Sequence, residues 1–332
     1  MMRLSPSECR AAPALCVGVA LATLVVSSCN TLFNPRQPCL IGDGPICFLR
    51  AWGRAGSAPG TLGQPRGVAL GAEGSVFVAD YLNNRVQEFH ADGEFVRGWG
   101  FAGGENGRLL FPRGITVGPN GAIYVADTFQ HRIDLFSREG TWLSSWGDSG
   151  SAPAEFVYPS AIAFDPRGRL YVADQFNYRI QVFTAEMRFL TLWGSRGAGV
   201  GRFQFPGDVA VGPDGTVYVV DTNNHRIQKF RDDGRLIAAW GRRGDGPGEF
   251  IFPRGVAVDS TGNVYVADTG NNRIQEFSEA GALRLMWGVA GERAGRFGSP
   301  SGIAVGRDGR FYIADSDNSR IQVFGDCDTC GS

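Results

Sequence analysis

A unit of 47 residues recurs six times along this chain, and its landmarks never slip by one position. Asp80, Asp127, Asp174, Asp221, Asp268 and Asp315 each close a Val-Ala-Asp-like run, 47 residues after the one before. Trp52, Trp99, Trp146, Trp193, Trp240 and Trp287, each followed by Gly, keep the same spacing. So do Arg85, Arg132, Arg179, Arg226, Arg273 and Arg320, and Pro65, Pro112, Pro159, Pro206, Pro253 and Pro300. A fixed period of this length, made of short apolar runs, specifies a propeller with one supersecondary unit per repeat.

Within one unit, Pro253–Val258 reads as strand a, Val264–Asp268 as strand b, Arg273–Phe277 as strand c and Leu283–Trp287 as strand d. Runs rich in Val, Ile, Tyr and Phe between Gly, Asn, Asp and Pro are strand signals. No repeat shows a sustained helical period. The first Trp-Gly, at Trp52, has no strands a to c before it, and the last unit, Pro300–Phe324, has no strand d. The segment Phe48–Trp52 is therefore expected to complete the last blade, removing the open sheet edges that invite aggregation. The fold class is all-β, a six-bladed propeller of four-stranded blades over residues 47–326.

The run Asp221-Thr222-Asn223-Asn224-His225-Arg226-Ile227-Gln228-Lys229-Phe230, and its counterpart from Asp268 to Phe277, resemble the signature of the NHL-repeat family. The resemblance extends over all six units and implies a six-bladed propeller. It implies no single function. Members of that family include protein- and RNA-binding modules, extracellular sensor domains of receptor kinases and a metal-dependent peptidyl-amidoglycolate lyase, so function has to be argued from sites.

The N-terminus reads as an address. Ala14–Val26 is an apolar and small-residue run too short to span a bilayer, as in a signal-peptide core. It ends in Val26-Ser27-Ser28-Cys29, which resembles a bacterial lipobox. In that reading residues 1–28 are removed, Cys29 carries the lipid, and 29–46 is a tether. Asn30 after the cysteine suggests transfer to an outer membrane, facing the periplasm, in a Gram-negative cell. Of seven cysteines, Cys9 and Cys16 leave with the signal, and Cys39, Cys47, Cys327 and Cys330 remain, an even number for an oxidising compartment. All flank the array, the last two in a tail over 327–332. Nested pairs Cys47–Cys327 and Cys39–Cys330 would staple the closure. A local Cys327–Cys330 bridge or a metal half-site is the other reading, although zinc would need two more ligands.

A formal net charge of −1 provides no broad cationic surface for nucleic acid. The Asp, Asn and Arg equivalent to Asp268, Asn271 and Arg273 recur in every blade, with only Gln130 replacing Asn. Six copies of one trio cannot be one active site; an ion pair and Asx-type turn tying the b–c loop is the expected role. His90, His131 and His225 are dispersed and do not compose a His-based metal site.

Function is sought where the repeats disagree. The residue after each Pro is Arg66, Arg113, Ser160, Gly207, Arg254 or Ser301, and the next is Gly or Ala except at Asp208. The second residue of the b–c loop is Leu82, Phe129 or Phe176 in the first three blades, with Tyr81 and Tyr178 nearby, and Asn223, Gly270 or Asp317 in the rest. Aromatics beside Arg66 and Arg113 form a candidate recognition surface; alternatively Phe129 and Phe176 cover the neighbouring blade. The chain thus reads as a lipid-anchored, extracytoplasmic, monomeric binding or scaffolding module for an envelope protein, peptide or glycan, without a cofactor. The alternative is a propeller enzyme, a metal-dependent lyase or lactonase-like hydrolase, which stoichiometric metal in the channel would reveal.

Overall fold

The computed structural model describes residues 41–42 and 46–326. The signal segment, Cys29, Cys39, Cys327 and Cys330 lie outside the described residues. Six antiparallel sheets form the blades, five in the order a-b-c-d from one repeat each. In the first blade these strands are Val68–Leu70, Val76–Asp80, Arg85–Phe89 and Phe95–Gly100. In the sixth, Pro300–Val305, Phe311–Asp315 and Arg320–Asp326 are joined by Ile46–Trp52 from the other end of the chain. Trp52 stands opposite Ile321 and Ile46 opposite Asp326, so the closing strand is longer than its sequence signal.

Two details differ from the sequence reading. The stretch 29–46 is not tether throughout: Ile46 belongs to the closing strand, and Ile41–Gly42 pair with Met286 and Leu285 as a fifth strand on the outer edge of blade five. The b–c turns of blades two to five each contain one turn of 3-10 helix, as at Thr128–Gln130, followed by a residue at positive φ. A single turn of three residues leaves no periodicity for a sequence to display.

The cores lie between blades. Each of the six buried clusters joins strands of two neighbours; Val76, Val78 and Phe89 of blade one, for instance, meet Tyr312, Ala314 and Val323 of blade six. Strand b is buried along its whole length in all six blades because both its faces meet a neighbour. Fully burying one large apolar side chain contributes about 1.5–3 kcal/mol, so every interface draws on several such residues. At the channel, neighbouring strands a approach closely: a Cβ on Gly255 would lie 1.9 Å from the Ser301 carbonyl oxygen, and one on Gly302 2.3 Å from that of Arg66.

The repeated polar set has one geometry. Asp80 Oδ1 accepts from the Gly63 N–H at 2.6 Å, and Oδ2 accepts from Asn83 (2.8 Å), Arg85 Nε (2.8 Å) and Gln87 (3.0 Å). The Arg85 fork reaches on to the carbonyls of Ser57, Ala58 and Thr61. The set therefore fastens the d–a loop to the b–c loop, and Gln87 is a fourth member. Blade two departs from it, with Asp134 where the others carry Gln. There Arg132 Nε lies 3.0 Å from Asp134 and 3.6 Å from Asp127. Burial, reinforced by Asp134 and opposed by the Leu110 N–H, pushes the Asp127 carboxyl up to about 8.

Adjacent blades are also tied through the residue before the repeated Arg at four of the six positions. Asn84 Oδ1 accepts from the Phe111 N–H at 2.7 Å, and Asn272 Oδ1 from Ser299 at 2.8 Å. His131 and His225 fill the same position and accept through Nδ1, each at 3.1 Å, from Tyr158 and Phe252. The assigned tautomer is therefore the Nε2–H form. Burial holds both imidazoles below the usual histidine range. Because the folded state favours neutral imidazole, their contribution is complete above the unfolded value of about 6.5 and is lost as pH falls below it. We expect the urea midpoint to drop between pH 7 and 5, and a His131→Asn/His225→Asn double variant, which keeps both acceptors, to drop less. Identical pH profiles would show that these two bonds do not contribute.

Candidate ligand-binding face at the channel mouth

Strands a surround a central cavity of ≈ 600 Å³, within the size range of small-ligand sites. The d–a and b–c loops, fastened together by the buried aspartates, frame one mouth of it. Three post-proline positions place Arg66, Arg113 and Arg254 along this mouth. Their counterparts turn to structure: Ser160 Oγ donates to the Pro206 carbonyl at 2.9 Å and Ser301 Oγ to that of Arg66 at 3.0 Å.

The arginines are poorly paired. Arg66 Cζ lies 5.2 Å and Arg113 Cζ 5.6 Å from the centre of the Tyr81 ring. Arg113 Nη1 donates to Gln175 Oε1 at 3.1 Å, and Arg66 Nη2 makes a long contact of 3.5 Å to Gln64. Arg66 Nε and Nη1 and Arg113 Nε are buried without a protein acceptor. Among the described residues, no ion pair engages any of the three. Burial, then the charges of Arg254 and Arg113, pull the Arg66 guanidinium down to about 10. Arg254 is lowered too, by desolvation and then by Arg113, although its side chain keeps exposed surface. Asp317 on the rim opposes both shifts, and accepts from Ser299 Oγ at 2.5 Å.

Asp208 is held deeper, in the channel wall and apart from this cluster. Oδ1 accepts from the Val209 N–H at 2.8 Å and Oδ2 from the Val256 N–H at 2.9 Å, so its carboxylate links blades four and five. Burial pushes it up to about 7, against the pull of those two bonds. Among the described residues, Asp208 is the one acid lining the cavity, and both its oxygens are engaged. Among the described residues no group of three or more His, Cys, Asp or Glu is placed to hold a metal. These residues do not fit the channel metal that a lyase or lactonase reading requires.

Beside the arginines the aromatics form one continuous arc. Tyr81, Phe111, Phe129, Tyr158, Phe176, Phe205 and Tyr178 follow one another with ring centres 4.8–5.2 Å apart, the spacing of favourable aromatic pairs. Arg196 lies over the far end, 5.4 Å from the Tyr178 ring. Phe129 and Phe176 bridge neighbouring blades yet stay 37% and 44% exposed, so each ring is both a blade cover and open surface. Leu82, 47% exposed, stands on the same rim. The structure brings Arg66, Arg113 and Tyr81 into contact, with Arg254 coupled to them by charge; Leu82, Phe129, Phe176 and Tyr178 extend outward from that point.

Sequence reasoning missed Phe111, Tyr158 and Phe205, which complete the arc. All three occupy the position before the repeated proline, at positive φ. The signal was there, since that position is aromatic in four successive repeats, ending with Phe252. Phe252 is 42% exposed, so the blades expected to be polar also carry one open ring.

The NHL repeat model matches the chain six times, over residues 62–89, 109–133, 156–183, 203–230, 250–277 and 297–324. A stretch of 74 residues is 38% identical to protein lin-41 of Caenorhabditis elegans; it covers 21% of this chain and only 6% of that much longer protein. The structure resembles virginiamycin B lyase from Staphylococcus aureus, with a TM-score of 0.60 and 12% identity over 85% of this chain and 99% of that one. It resembles a gluconolactonase from Xanthomonas campestris similarly, with a TM-score of 0.62 and 16% identity over 88% and 98%. At such identities the likeness is one of fold. With one matched repeat in each of its six blades, this chain belongs to the NHL-repeat family.

Proposed function

We propose that this chain is an extracytoplasmic, lipid-anchored binding module that captures an envelope protein, peptide or glycan on the face carrying the channel mouth. One observation carries the reading of the face: the unbroken arc of seven rings in tilted and edge-on contact, partly open to solvent, which begins against Arg66 and Arg113. Aromatics and arginine dominate the energetics of recognition surfaces, and rings already fixed by their neighbours lose little entropy on binding. The lyase and the gluconolactonase share the fold, but Asp208, the one carboxylate among the described residues that line this cavity, is committed to the backbone.

If the arc is the contact surface, Phe129→Ala, Phe176→Ala and Arg113→Ala should each weaken partner capture from envelope extract by about 2 kcal/mol, the usual cost of losing an anchor. Asn223→Ala, at the matching position on the polar side, should change little. Equal capture by wild type and by all three variants would reduce the rings to blade covers.

The anchor reading rests on Val26-Ser27-Ser28-Cys29. Twelve residues from Cys29 to Ile41 reach at most roughly 40 Å, which would keep the propeller close to the membrane that holds the lipid. Cys29→Ser should abolish incorporation of labelled lipid and release the folded protein from the membrane fraction. Undiminished membrane retention of the variant would refute the anchor.

The closure reading pairs Cys47 with Cys327 and Cys39 with Cys330. In its support, Cys47 is engaged in a disulfide and stands opposite Gly325, two residues before Cys327. A bridge enclosing nearly the whole ring contributes about 4–5 kcal/mol in the chain-entropy model, less where strand pairing already holds the ends. Peptide mapping under non-reducing conditions should recover both linked pairs; a Cys327–Cys330 peptide would overturn the pairing.

A further inference from the structure

We propose that Arg66, Arg113 and Arg254 form a binding site for the carboxylate or phosphate group of a small organic anion, whose apolar part lies against Tyr81 and the rings that follow it. The inference rests on reading this face as the binding face, and it goes further by naming the ligand chemistry.

The argument begins with cost. Three guanidinium groups share one rim without an ion pair among the described residues; burial, and after it their charges on one another, hold Arg66 and Arg254 below the usual arginine range. Asp317 is the one acid felt by both. Elsewhere in the ring, the repeated arginines are well paired: Arg85, for example, donates to Asp80 and to three carbonyls. At the mouth, by contrast, Arg66 Nε, Arg66 Nη1 and Arg113 Nε are buried without an acceptor. Buried donors normally find partners, and an exception requires a reason. An anion supplies it: its oxygens accept charge-assisted bonds from those N–H groups and relieve the mutual repulsion.

The surroundings narrow the ligand further. The Tyr81 ring lies within 5.2 Å of Arg66 Cζ and 5.6 Å of Arg113 Cζ, so both guanidinium groups stand beside one aromatic ring. The same ring is the first of the aromatic arc, 5.0 Å from Phe111. An anionic head at the arginines therefore places an attached ring or alkyl group on Tyr81 and Phe111. The cavity of ≈ 600 Å³ admits a molecule of that size. Asp208, the one acid of the cavity, is bound to two backbone N–H groups and does not compete as counter-ion for the mouth.

The test is calorimetric titration of the purified full chain at low ionic strength with phenylacetate, phenyl phosphate and, as the uncharged probe, 2-phenylethanol. At least one anion should bind with a one-to-one stoichiometry, the alcohol at least tenfold more weakly, and the two anions tell which head group the mouth prefers. Arg254→Gln and Arg66→Gln should weaken the anion at least tenfold, whereas Arg138→Gln on the opposite rim should not. Arg254 makes no side-chain hydrogen bond or ion pair among the described residues, so Arg254→Gln should fold, and it should raise the melting temperature of the ligand-free protein by removing a repelling charge. No binding of either anion, equal binding of the alcohol, or unchanged affinity in Arg254→Gln would each overturn the proposal. A loss of partner capture in the aromatic variants without anion binding would remove this site and leave the wider reading of the face intact.

Discussion

Everything at the face carrying the channel mouth hangs on a buried carboxylate that occurs once in each blade. The aspartates that close strand b are fully buried, and an isolated carboxylate in such a place would be costly. Each is satisfied instead. One oxygen holds a backbone N–H of the d–a loop, from Gly63 in blade one to Gly298 in blade six, and the other collects the Arg and its side-chain companions. Removing any partner would leave the charge buried and exposed to its full desolvation cost. The set thus makes two loops behave as one rigid element. Blade two shows how much the arrangement tolerates: with Asp134 in place of Gln, Arg132 Nε turns to the second carboxyl and stands 3.6 Å from Asp127, whose carboxyl burial, reinforced by Asp134, holds above the usual carboxylate range.

Rigid loops are what allow variable positions to become a site. The residue after each proline faces either the next blade or the channel mouth. Ser160 and Ser301 spend their hydroxyls on neighbouring carbonyls, while Arg66, Arg113 and Arg254 have side chains too long and too charged for that role. The aromatics before the prolines follow the same logic. Each sits at positive φ, which directs its ring across the blade boundary onto the b–c loop of its neighbour, as Phe111 meets Tyr81 and Tyr158 meets Phe129. The rings that hold neighbouring blades together are therefore the ones left partly open, so the open surface is preorganised.

Closure is the second constraint. The strand Ile46–Trp52 fills the edge that blade six cannot fill for itself, and the interface of blades six and one is built like the other five. The short pairing of Ile41–Gly42 with blade five then carries the chain to the outer edge of the ring.

The number of blades, the strands within them, the closing strand and the rim positions of Arg66, Arg113 and Arg254 were all legible from the repeat. A strict period makes every landmark reinforce the others, and a departure such as Asp208 stands out against five Gly or Ala. What Asp208 does was not legible: only the fold brings the Val256 N–H, 48 residues away, onto its carboxylate and turns an apparent site residue into a tie between blades. The arc was half legible. Phe129 and Phe176 were visible as exceptions to the repeat, whereas Phe111, Tyr158 and Phe205 were hidden because their significance depends on which loop of the next blade they meet. The pairing state of the arginines was decided by tertiary structure alone, since a period fixes where a guanidinium stands along the chain, and only the ring fixes which charges it faces.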